Sequence, residues 1–279
     1  MIKIQRTYQN QVATLFLVAT PIGALKAISL NAIETLQTVK VVFCEDTRIS
    51  KKLFEKFDIE TKKHSFHKFN EKNNWIKVIN YLQNGDDVAL ISCAGIPLIA
   101  DPGFDLVKKV LDHEFNVSAI GVNSAFLSAL ICSGITVEKF TFHNFLIAKK
   151  SNKEKQIFKI LKQKETIVCY ESVHKMKDTL MILKKLAPQR NFCLGREISK
   201  KYETFYRGNL ESLDLSTFRF QGEFVLVIAG NTDKNLINLQ DFLNKIKTID
   251  LKNKQIMQLG KIFFGLKHKD LYKIIHNKK

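Results

Sequence analysis

The sequence predicts an α/β protein with two α/β domains followed by a small helical segment. Three observations lead to this prediction. Between residues 14 and 132, short apolar runs alternate with amphipathic helical patterns. Runs that are apolar throughout are typical of parallel strands whose sheet is covered by helices on both faces. Beyond residue 134, several strand-like runs follow one another without a helix between them, and residues 234–279 have only helical spacing.

The first domain is predicted over residues 1–135. Its strands are predicted at 15–19, 39–44, 63–67, 88–92 and 117–121, with helices at 29–37, 47–56, 70–83, 104–112 and 124–132. Residues 117–135 carry no charge and are nearly long enough to span a bilayer. Glycine, serine and asparagine residues interrupt this stretch, so a strand, a tight turn and a small-residue helix explain it better, and no membrane partner is expected.

The second domain is predicted over residues 136–232, with the hinge between the domains near residues 134–139. Strands are predicted at 140–145, 166–170, 191–196, 202–207 and 223–229, with helices at 152–163 and 174–186. Consecutive strands without a connecting helix are typical of antiparallel pairs, so this sheet should be mixed. Residues 233–279 are predicted to form a small helical appendage.

The charge balance points to a polyanionic partner. The chain has 44 Lys and Arg against 27 Asp and Glu, a net charge of +17. Residues 1–140 carry about +2, residues 141–230 about +8 and residues 231–279 about +7. A basic rear half is typical of a surface that binds nucleic acid. A lysine-rich codon bias would also make the chain basic, but it should spread the charge more evenly.

The five cysteines argue against two classes of site. None has the CxxC spacing of a zinc site, so no metal is expected. Their odd number, together with the absence of a signal peptide, predicts a cytoplasmic protein with reduced thiols. Three of them lie in apolar runs and are interpreted as small core residues.

Four loops at one edge of the predicted parallel sheet are the best candidates for a ligand site. They are residues 20–23, 45–48, 92–97 and 121–125, and each follows a strand. Ligands of open parallel sheets bind at the carboxyl ends of the strands, where such loops meet. The sequence contains neither GxGxxG after a strand nor GxxxxGK[ST], which disfavours a dinucleotide site and a P-loop.

These loops carry a family resemblance. The segments LFLVATPIGAL, FCEDTR, ISCAGIPLIADPG, YESVHK and GREISKKYETFYRG, in this order, resemble the tetrapyrrole methylase superfamily. FCEDTR and YESVHK resemble more narrowly its branch that methylates small-subunit ribosomal RNA. The resemblance covers residues 14–230, and the C-terminal helices are similar to the helix-turn-helix appendage of many members.

The resemblance implies a cofactor, a reaction and partners. S-adenosylmethionine would lie in the cleft between two α/β domains of the tetrapyrrole methylase type, and the protein would be a homodimer. The reaction would be 2′-O-methylation of a cytidine ribose in the decoding region of 16S ribosomal RNA, in free RNA or in the assembled small subunit. Alternatives are a methylase of a tetrapyrrole-like small molecule, a degenerate non-catalytic ribosome- or RNA-binding protein, and a DNA-binding regulator that uses the C-terminal helices.

Site residues follow from the motifs. The candidates for a general base are Glu171, His174, Glu45 and Asp46. The expected cofactor-binding residues are Pro21, Ile22, Gly23, Ala94, Gly95, Ile96, Ser124, Ala125, Tyr170 and Glu171. The expected RNA-binding residues are Arg48, Lys149, Lys150, Arg196, Lys200, Lys201 and Arg207, with Lys153 and Lys155 as further phosphate contacts and Phe205 and Tyr206 as residues that stack on a base.

Several positions depart from the pattern of the family. Cys93 stands where a carboxylate is usual, Ile96 where Thr is usual, Asn123 where Pro is usual and Asn144 where Gly is usual. One interpretation is drift, since backbone groups hold much of such a cofactor; the other is a weakened activity that leaves an RNA-binding protein. A catalytic thiol at Cys93 is disfavoured, because no histidine lies near it in the sequence to activate it.

Overall fold

Two β-sheets organise the chain in the computed structural model, which describes residues 1–232 and 255–256. The strands are β1 (Lys3–Arg6), β2 (Thr14–Val18), β3 (Val41–Cys44), β4 (Lys63–Ser65), β5 (Val88–Ile91), β6 (Asn116–Ile120), β7 (Phe140–Phe145), β8 (Thr166–Glu171), β9 (Asn191–Arg196), β10 (Thr204–Asn209) and β11 (Phe224–Ile228). The helices are α1 (Leu30–Thr38), α2 (Thr47–Lys56), α3 (Glu71–Gln83), α4 (Phe104–Asp112), α5 (Ala125–Cys132), α6 (Lys150–Ile160) and α7 (Val173–Leu186).

The first sheet is parallel and has the strand order β4-β3-β5-β2-β6. Every residue of β3, β5 and β6 is buried, as expected for strands that helices cover on both faces. The helix that follows β3 begins where the carboxylate of Asp46 accepts a hydrogen bond from the backbone N–H of Arg48. The carboxyl ends of all five strands therefore lie at one edge of this sheet.

The second sheet is mixed, with the order β1-β10-β9-β11-β8-β7. Its pairs are antiparallel except for β7 and β8, which are parallel. The α/β class, the parallel sheet and the mixed sheet predicted from the sequence are thus confirmed. Each predicted strand and helix within the described residues is present, with ends that differ by at most three residues.

No pattern in the sequence predicted the strand β1. Only one of its four residues is buried, so the segment lacks the alternation that predicts a strand. It pairs with β10 and therefore joins the second sheet, although it precedes the first sheet in the chain. Residues 1–231 pack as one compact unit. The proposed boundary near residue 135 falls between the last strand of the first sheet and β7, and the predicted appendage at 233–279 lies almost wholly outside the described residues.

The uncharged stretch 117–135 contains the end of β6, a turn and α5, as predicted. In the part of the chain that the structure describes, no helix combines the length and the apolar character needed to cross a bilayer.

Buried polar side chains join the two sheets. One carboxylate oxygen of Glu203 accepts hydrogen bonds from the hydroxyls of Thr7 at 2.8 Å and Ser118 at 2.7 Å. Ser118 belongs to β6 of the first sheet, while Glu203 directly precedes β10 of the second. Burial raises the pKa of the Glu203 carboxyl. The guanidinium of Arg207 in β10 donates to the carbonyl oxygen of Cys132, at the end of α5, from Nε at 3.0 Å and from Nη2 at 2.7 Å.

Candidate functional site

Three cavities lie along the carboxyl edge of the parallel sheet and beside the second sheet. The first has a volume of about 360 Å³, within the range of small-molecule sites. It is lined by Ala125, Phe145, Tyr170, Glu171, Ser172, Val173, Ile198, Gly222, Glu223, Phe224 and Val225. It lies between the first residue of α5, the carboxyl end of β8 and the start of β11. This cavity therefore draws on the elements of both sheets.

The second cavity, of about 220 Å³, is built by the loops that follow β2 and β5. Its lining includes Pro21, Ile22, Gly23 and Ala94, four of the residues expected to bind the cofactor. Thr20 and Gly95 exchange two backbone hydrogen bonds, with N–O distances of 2.8 and 3.0 Å. This bridge fixes the two loops side by side.

The loop between β5 and α4 is held in unusual backbone conformations. Gly95, Leu98, Ala100 and Gly103 have φ angles of +86°, +74°, +67° and +123°. Residues with a side chain rarely adopt a positive φ angle, but Leu98 and Ala100 do. Packing holds Leu98 in this conformation, because it is only 3% exposed. A Cβ atom on Gly103 would lie 2.8 Å from a methyl carbon of Leu90. Backbone strain that packing maintains is characteristic of functional loops.

The third cavity, of about 440 Å³, is lined by four carboxylates, those of Glu45, Glu71, Asp101 and Asp105. Glu45 and Asp101 both line it, together with the loop that precedes α3. A carboxylate oxygen of Glu45 accepts a hydrogen bond from the backbone N–H of Cys93 at 3.1 Å. Burial, and then the negative charge of Glu45, raise the pKa of the Asp101 carboxyl, and a hydrogen bond with Ser92 opposes this shift. A carboxylate with a raised pKa is a stronger proton acceptor.

Cys93 stands beside these carboxylates and is a neutral thiol. Burial, followed by the hydrogen bond and the charge of Glu45, raises the pKa of its thiol from 9.0 to about 11. Only the thiolate is a nucleophile, so this environment makes Cys93 a poor one. The structure thus agrees with the sequence argument against a catalytic thiol.

We expect Cys93 to resist alkylation in the folded protein. At pH 8, a rise of the thiol pKa from 9.0 to about 11 lowers the thiolate fraction by about two orders of magnitude. Iodoacetamide labelling at pH 8, followed by mass spectrometry, should modify Cys93 about a hundredfold more slowly than in the urea-unfolded chain. Labelling at the rate of an ordinary exposed cysteine would contradict this expectation.

The side chains of Asp46 and Arg48 form an ion pair. The Arg48 guanidinium donates to both carboxylate oxygens of Asp46, with the closer contact at 2.6 Å. The hydrogen bonds from the side chain and backbone of Arg48 lower the pKa of the Asp46 carboxyl to about 2. Such a weak base is a poor acceptor for a hydroxyl proton. The geometry therefore favours a role for this pair in capping and fixing the start of α2.

Glu171 is held in a buried polar cluster. Its side chain is 2% exposed and forms an ion pair with Lys153, whose side chain is 3% exposed. The same carboxylate oxygen accepts a hydrogen bond from the hydroxyl of Thr179 at 2.6 Å, and the other accepts from the backbone N–H of Ser172 at 2.8 Å. These contacts occupy both oxygens and fix the end of β8 against α6 and α7. Lys153 is thus unavailable for the predicted phosphate contact, and that prediction is wrong.

The remaining residues of the predicted cofactor set and His174 lie in different places. Ala125, Tyr170 and Glu171 line the first cavity, Gly95 bridges to Thr20, Ile96 packs against the core and Ser124 precedes α5. His174 lies exposed in the first turn of α7. The four loops predicted from the sequence thus form one edge, but their side chains divide between separate cavities.

Two arginines predicted to bind RNA donate their hydrogen bonds to acceptors within the fold. Arg196 is 5% exposed, and its guanidinium donates to the carbonyl oxygens of Gln221 at 2.6 Å and Tyr202 at 3.2 Å. The guanidinium of Arg207 donates to the carbonyl oxygen of Cys132 and to the side-chain oxygen of Gln5. These guanidinium groups satisfy backbone and amide acceptors and cannot reach a phosphate. The prediction of RNA contacts for these two arginines is therefore wrong.

The predicted base-stacking pair is also wrong, because Phe205 is fully buried and Tyr206 is 3% exposed. Lys149 and Lys201 are exposed and stay candidates for phosphate contacts. Lys200 is half-exposed and forms ion pairs with Glu197 at 3.1 Å and Glu223 at 3.0 Å. Its charge is thus partly balanced before any RNA arrives.

Other residues of the site were not singled out from the sequence. Phe145, Ile198 and residues 222–225 complete the first cavity, and Asp101 shares the third with Glu45. Phe145 is the last residue of β7, and the sequence of this strand did not show whether its side chain packs in the core or lines a cavity. Asp101 lies in the family segment ISCAGIPLIADPG and was recognised there as a retained residue, but it was not among the predicted general bases.

Comparison with known proteins gives one family and a consistent group of relatives. The model of the family described as Tetrapyrrole (Corrin/Porphyrin) Methylases matches residues 14–214. Ribosomal RNA small subunit methyltransferase I of Bacillus subtilis (strain 168) is 37% identical over 230 residues, covering 82% of this chain and 79% of the relative.

Two further relatives cover more of the chain. The protein of the same name from Halalkalibacterium halodurans is 34% identical over 287 residues, covering 98% of this chain and 99% of the relative. That from Rickettsia prowazekii (strain Madrid E) is 31% identical, covering 95% of this chain and 97% of the relative. The range matched by the family model contains β2 to β10 and the strained loop.

Proposed function

This chain belongs to the tetrapyrrole methylase family, and on that premise we propose that it methylates small-subunit ribosomal RNA with S-adenosylmethionine as the methyl donor. The acceptor in this proposal is the 2′-oxygen of a cytidine ribose in the decoding region. The observation that carries it is the cavity of about 360 Å³ that residues of α5, β8 and β11 line at the carboxyl edge of the parallel sheet. The names of relatives that cover 95–98% of the chain support ribosomal RNA as the substrate.

The lining of the first cavity suits a cationic methyl donor. Among the described residues that line it there are two glutamates and no lysine or arginine. The rings of Phe145 and Tyr170, with centroids 5.2 Å apart, offer an apolar wall for a planar base. Gly23 in the second cavity has no atom within 4 Å of the place of a Cβ, so a ligand can approach its backbone closely. When bound, the cofactor supplies an electrophilic methyl carbon.

The work of the protein is then alignment and proton removal. Methyl transfer to a hydroxyl needs the oxygen in line with the methyl carbon, and the fixed loops after β2 and β5 provide a rigid frame for this alignment. The hydroxyl proton needs an acceptor. We assign this role to Asp101, because burial and Glu45 raise the pKa of its carboxyl. Glu171 is assigned a positioning role, since its oxygens are already occupied.

RNA fits this chain better than a tetrapyrrole does. The net charge of +17 favours a polyanion, and association with such a partner should weaken with salt. A non-catalytic RNA-binding protein is the second candidate, because Cys93 and Ile96 depart from the family pattern. It would bind small-subunit RNA but transfer no methyl group.

We extend the proposal to a homodimer that acts in the cytoplasm. The exposed apolar side chains of Phe142 and Ile147, on and beside the edge strand β7, favour a protein contact there. Sedimentation equilibrium at micromolar concentration should give twice the chain mass, and a monomer would contradict this. Cell fractionation with antibody detection tests the location.

The function is tested with labelled S-adenosylmethionine and small ribosomal subunits that lack the modification. Label should appear on a cytidine 2′-oxygen, mapped by alkaline hydrolysis, which does not cleave beside a 2′-O-methyl group. Ala125→Trp, which fills the first cavity, should abolish transfer. Ala148→Trp is the matched control, because Ala148 is exposed. Transfer by the Ala125 variant at the wild-type rate, or no transfer by a folded wild-type chain, would refute the proposal.

A further inference from the structure

An exposed phenylalanine stands at the mouth of the carboxylate cavity. Phe69 is 93% exposed, among the highest values for a large apolar side chain in the described residues. It lies between β4 and α3 and lines the third cavity together with Glu45 and Asp101. The ring therefore stands in water at the edge of a cleft, where a ligand in the cleft would meet it.

The loop that carries Phe69 is firmly held. The backbone N–H groups of Asn70 and Glu71 both donate to the carbonyl oxygen of His67 at 2.9 Å. The Asn70 side chain accepts from the N–H of His67 at 2.8 Å and donates to the hydroxyl of Ser65 at 3.1 Å. A turn held by these hydrogen bonds therefore places the ring of Phe69 in solvent.

His67, which also lines the third cavity, carries an unsatisfied polar atom. Nδ1 of His67 is buried and has no hydrogen-bond partner among the described residues. Buried polar groups are nearly always satisfied, so a group that a ligand brings is the natural partner. The ring of His67 lies edge-on to that of Phe69, with centroids 6.1 Å apart.

The chain segment around Phe69 is basic, and the groove beside it is lined by four lysines and three carboxylates, whereas the third cavity is lined by one lysine and four carboxylates. Residues 47–77 contain nine Lys and Arg against four Asp and Glu. A groove of about 630 Å³ continues from the third cavity between α3 and α4, and Lys68, Glu71 and Asp105 line both. Lys72, Lys108 and Lys109 face this groove with Trp75, and Lys109 Nζ lies 5.2 Å from the centre of the indole ring.

We propose that Phe69 is the platform on which a base of single-stranded RNA stacks, with the adjoining RNA backbone in the groove past Trp75. The proposal rests on the proposed function, whose substrate it places in the third cavity. Single-stranded RNA is recognised by aromatic rings on which splayed bases stack and by lysines that follow the backbone. Stacking at the mouth of the cavity would hold a neighbouring ribose near Glu45 and Asp101.

The test uses two readouts on the full chain. Trp75 is the only tryptophan, so its fluorescence reports RNA in the groove without any labelling. An oligocytidylate of about ten nucleotides serves as the binding probe. The second readout is kcat/KM for methyl transfer to unmethylated small subunits. Phe69→Ala, Phe69→Tyr and the control Phe158→Ala are compared, because Phe158 is a half-exposed ring with Lys162 Nζ 4.6 Å from its centre.

Phe69→Ala should weaken oligonucleotide binding and lower kcat/KM by about tenfold, with S-adenosylmethionine affinity and thermal stability unchanged. Phe69→Tyr keeps the ring and should stay within about threefold of wild type, and Phe158→Ala within about twofold. Wild-type behaviour of Phe69→Ala in both readouts, or no response of Trp75 to saturating RNA, would overturn the inference. RNA binding without methyl transfer would contradict the proposed function. In that case the comparison of RNA binding between wild type and the Phe69 variants would still test whether a base stacks on Phe69.

Discussion

Lys153→Met should lower the free energy of unfolding by about 3–5 kcal/mol, because it strands the charge of Glu171 in the protein interior. Both side chains are almost fully buried, and the ion pair is supported by Thr179. Urea unfolding followed by circular dichroism measures the change. The matched control is Lys155→Met, two residues along α6 and exposed, which should change the free energy by less than about 0.5 kcal/mol.

Combining Lys153→Met with Glu171→Gln should restore most of the lost stability. The neutral amide keeps hydrogen bonds with Ser172 and Thr179 and leaves no unpaired charge. The double variant also separates two roles of Glu171. If the carboxylate positions β8, methyl transfer survives in the double variant within about tenfold of wild type. A loss of a hundredfold or more with stability restored would make Glu171 the proton acceptor instead.

Asp101→Asn should lower kcat for methyl transfer by about 10²–10⁴-fold, the usual contribution of a general base. The amide keeps the size of the side chain but cannot take up the hydroxyl proton. Binding of S-adenosylmethionine, measured by calorimetry, should change little, because Asp101 lines the third cavity rather than the first. Activity within tenfold of wild type would exclude Asp101 as the acceptor.

The variant Glu45→Gln tests the assignment of Asp101 as the proton acceptor through the pH dependence of kcat. The negative charge of Glu45 contributes to the raised pKa of Asp101, so its removal should lower that pKa. Asp101 must be ionised to accept a proton, and activity is lost as the pH falls through its pKa. The acid limb of the pH–kcat profile should therefore move to lower pH in Glu45→Gln. A shift in the opposite direction would contradict the assignment of the base.

Departures from the family pattern have structural consequences that the sequence did not reveal. Asn144, where Gly is usual, has a φ angle of +54°, which asparagine tolerates better than most residues. It lies in β7 where the register shifts between Phe142 and Phe145, so the strand keeps its irregularity without the glycine. Cys93 stands where a carboxylate is usual; its backbone N–H donates to Glu45, which together with Asp101 lines the third cavity.

The sequence by itself determined the order of strands and helices, the parallel and mixed sheets, and the edge where four loops meet. These features depend on apolar periodicity and on the rule that parallel strands end at one edge, and both are local or topological. The strand β1 was missed because Ile4 is the only apolar residue among its four, and what holds it is the pairing with β10 and the hydrogen bonds of Gln5 with Val117.

Only the tertiary structure decided what each charged side chain does. Lys153, Arg196 and Arg207 looked like phosphate ligands in a basic rear half, but the fold buries each against an acceptor of its own. Phe69 lay in the nearly neutral front half, and the fold leaves its ring in water beside two carboxylates. The net charge of a segment is additive along the chain, whereas burial and pairing depend on residues far away in sequence, as 112 positions separate Gln5 from its partner Val117.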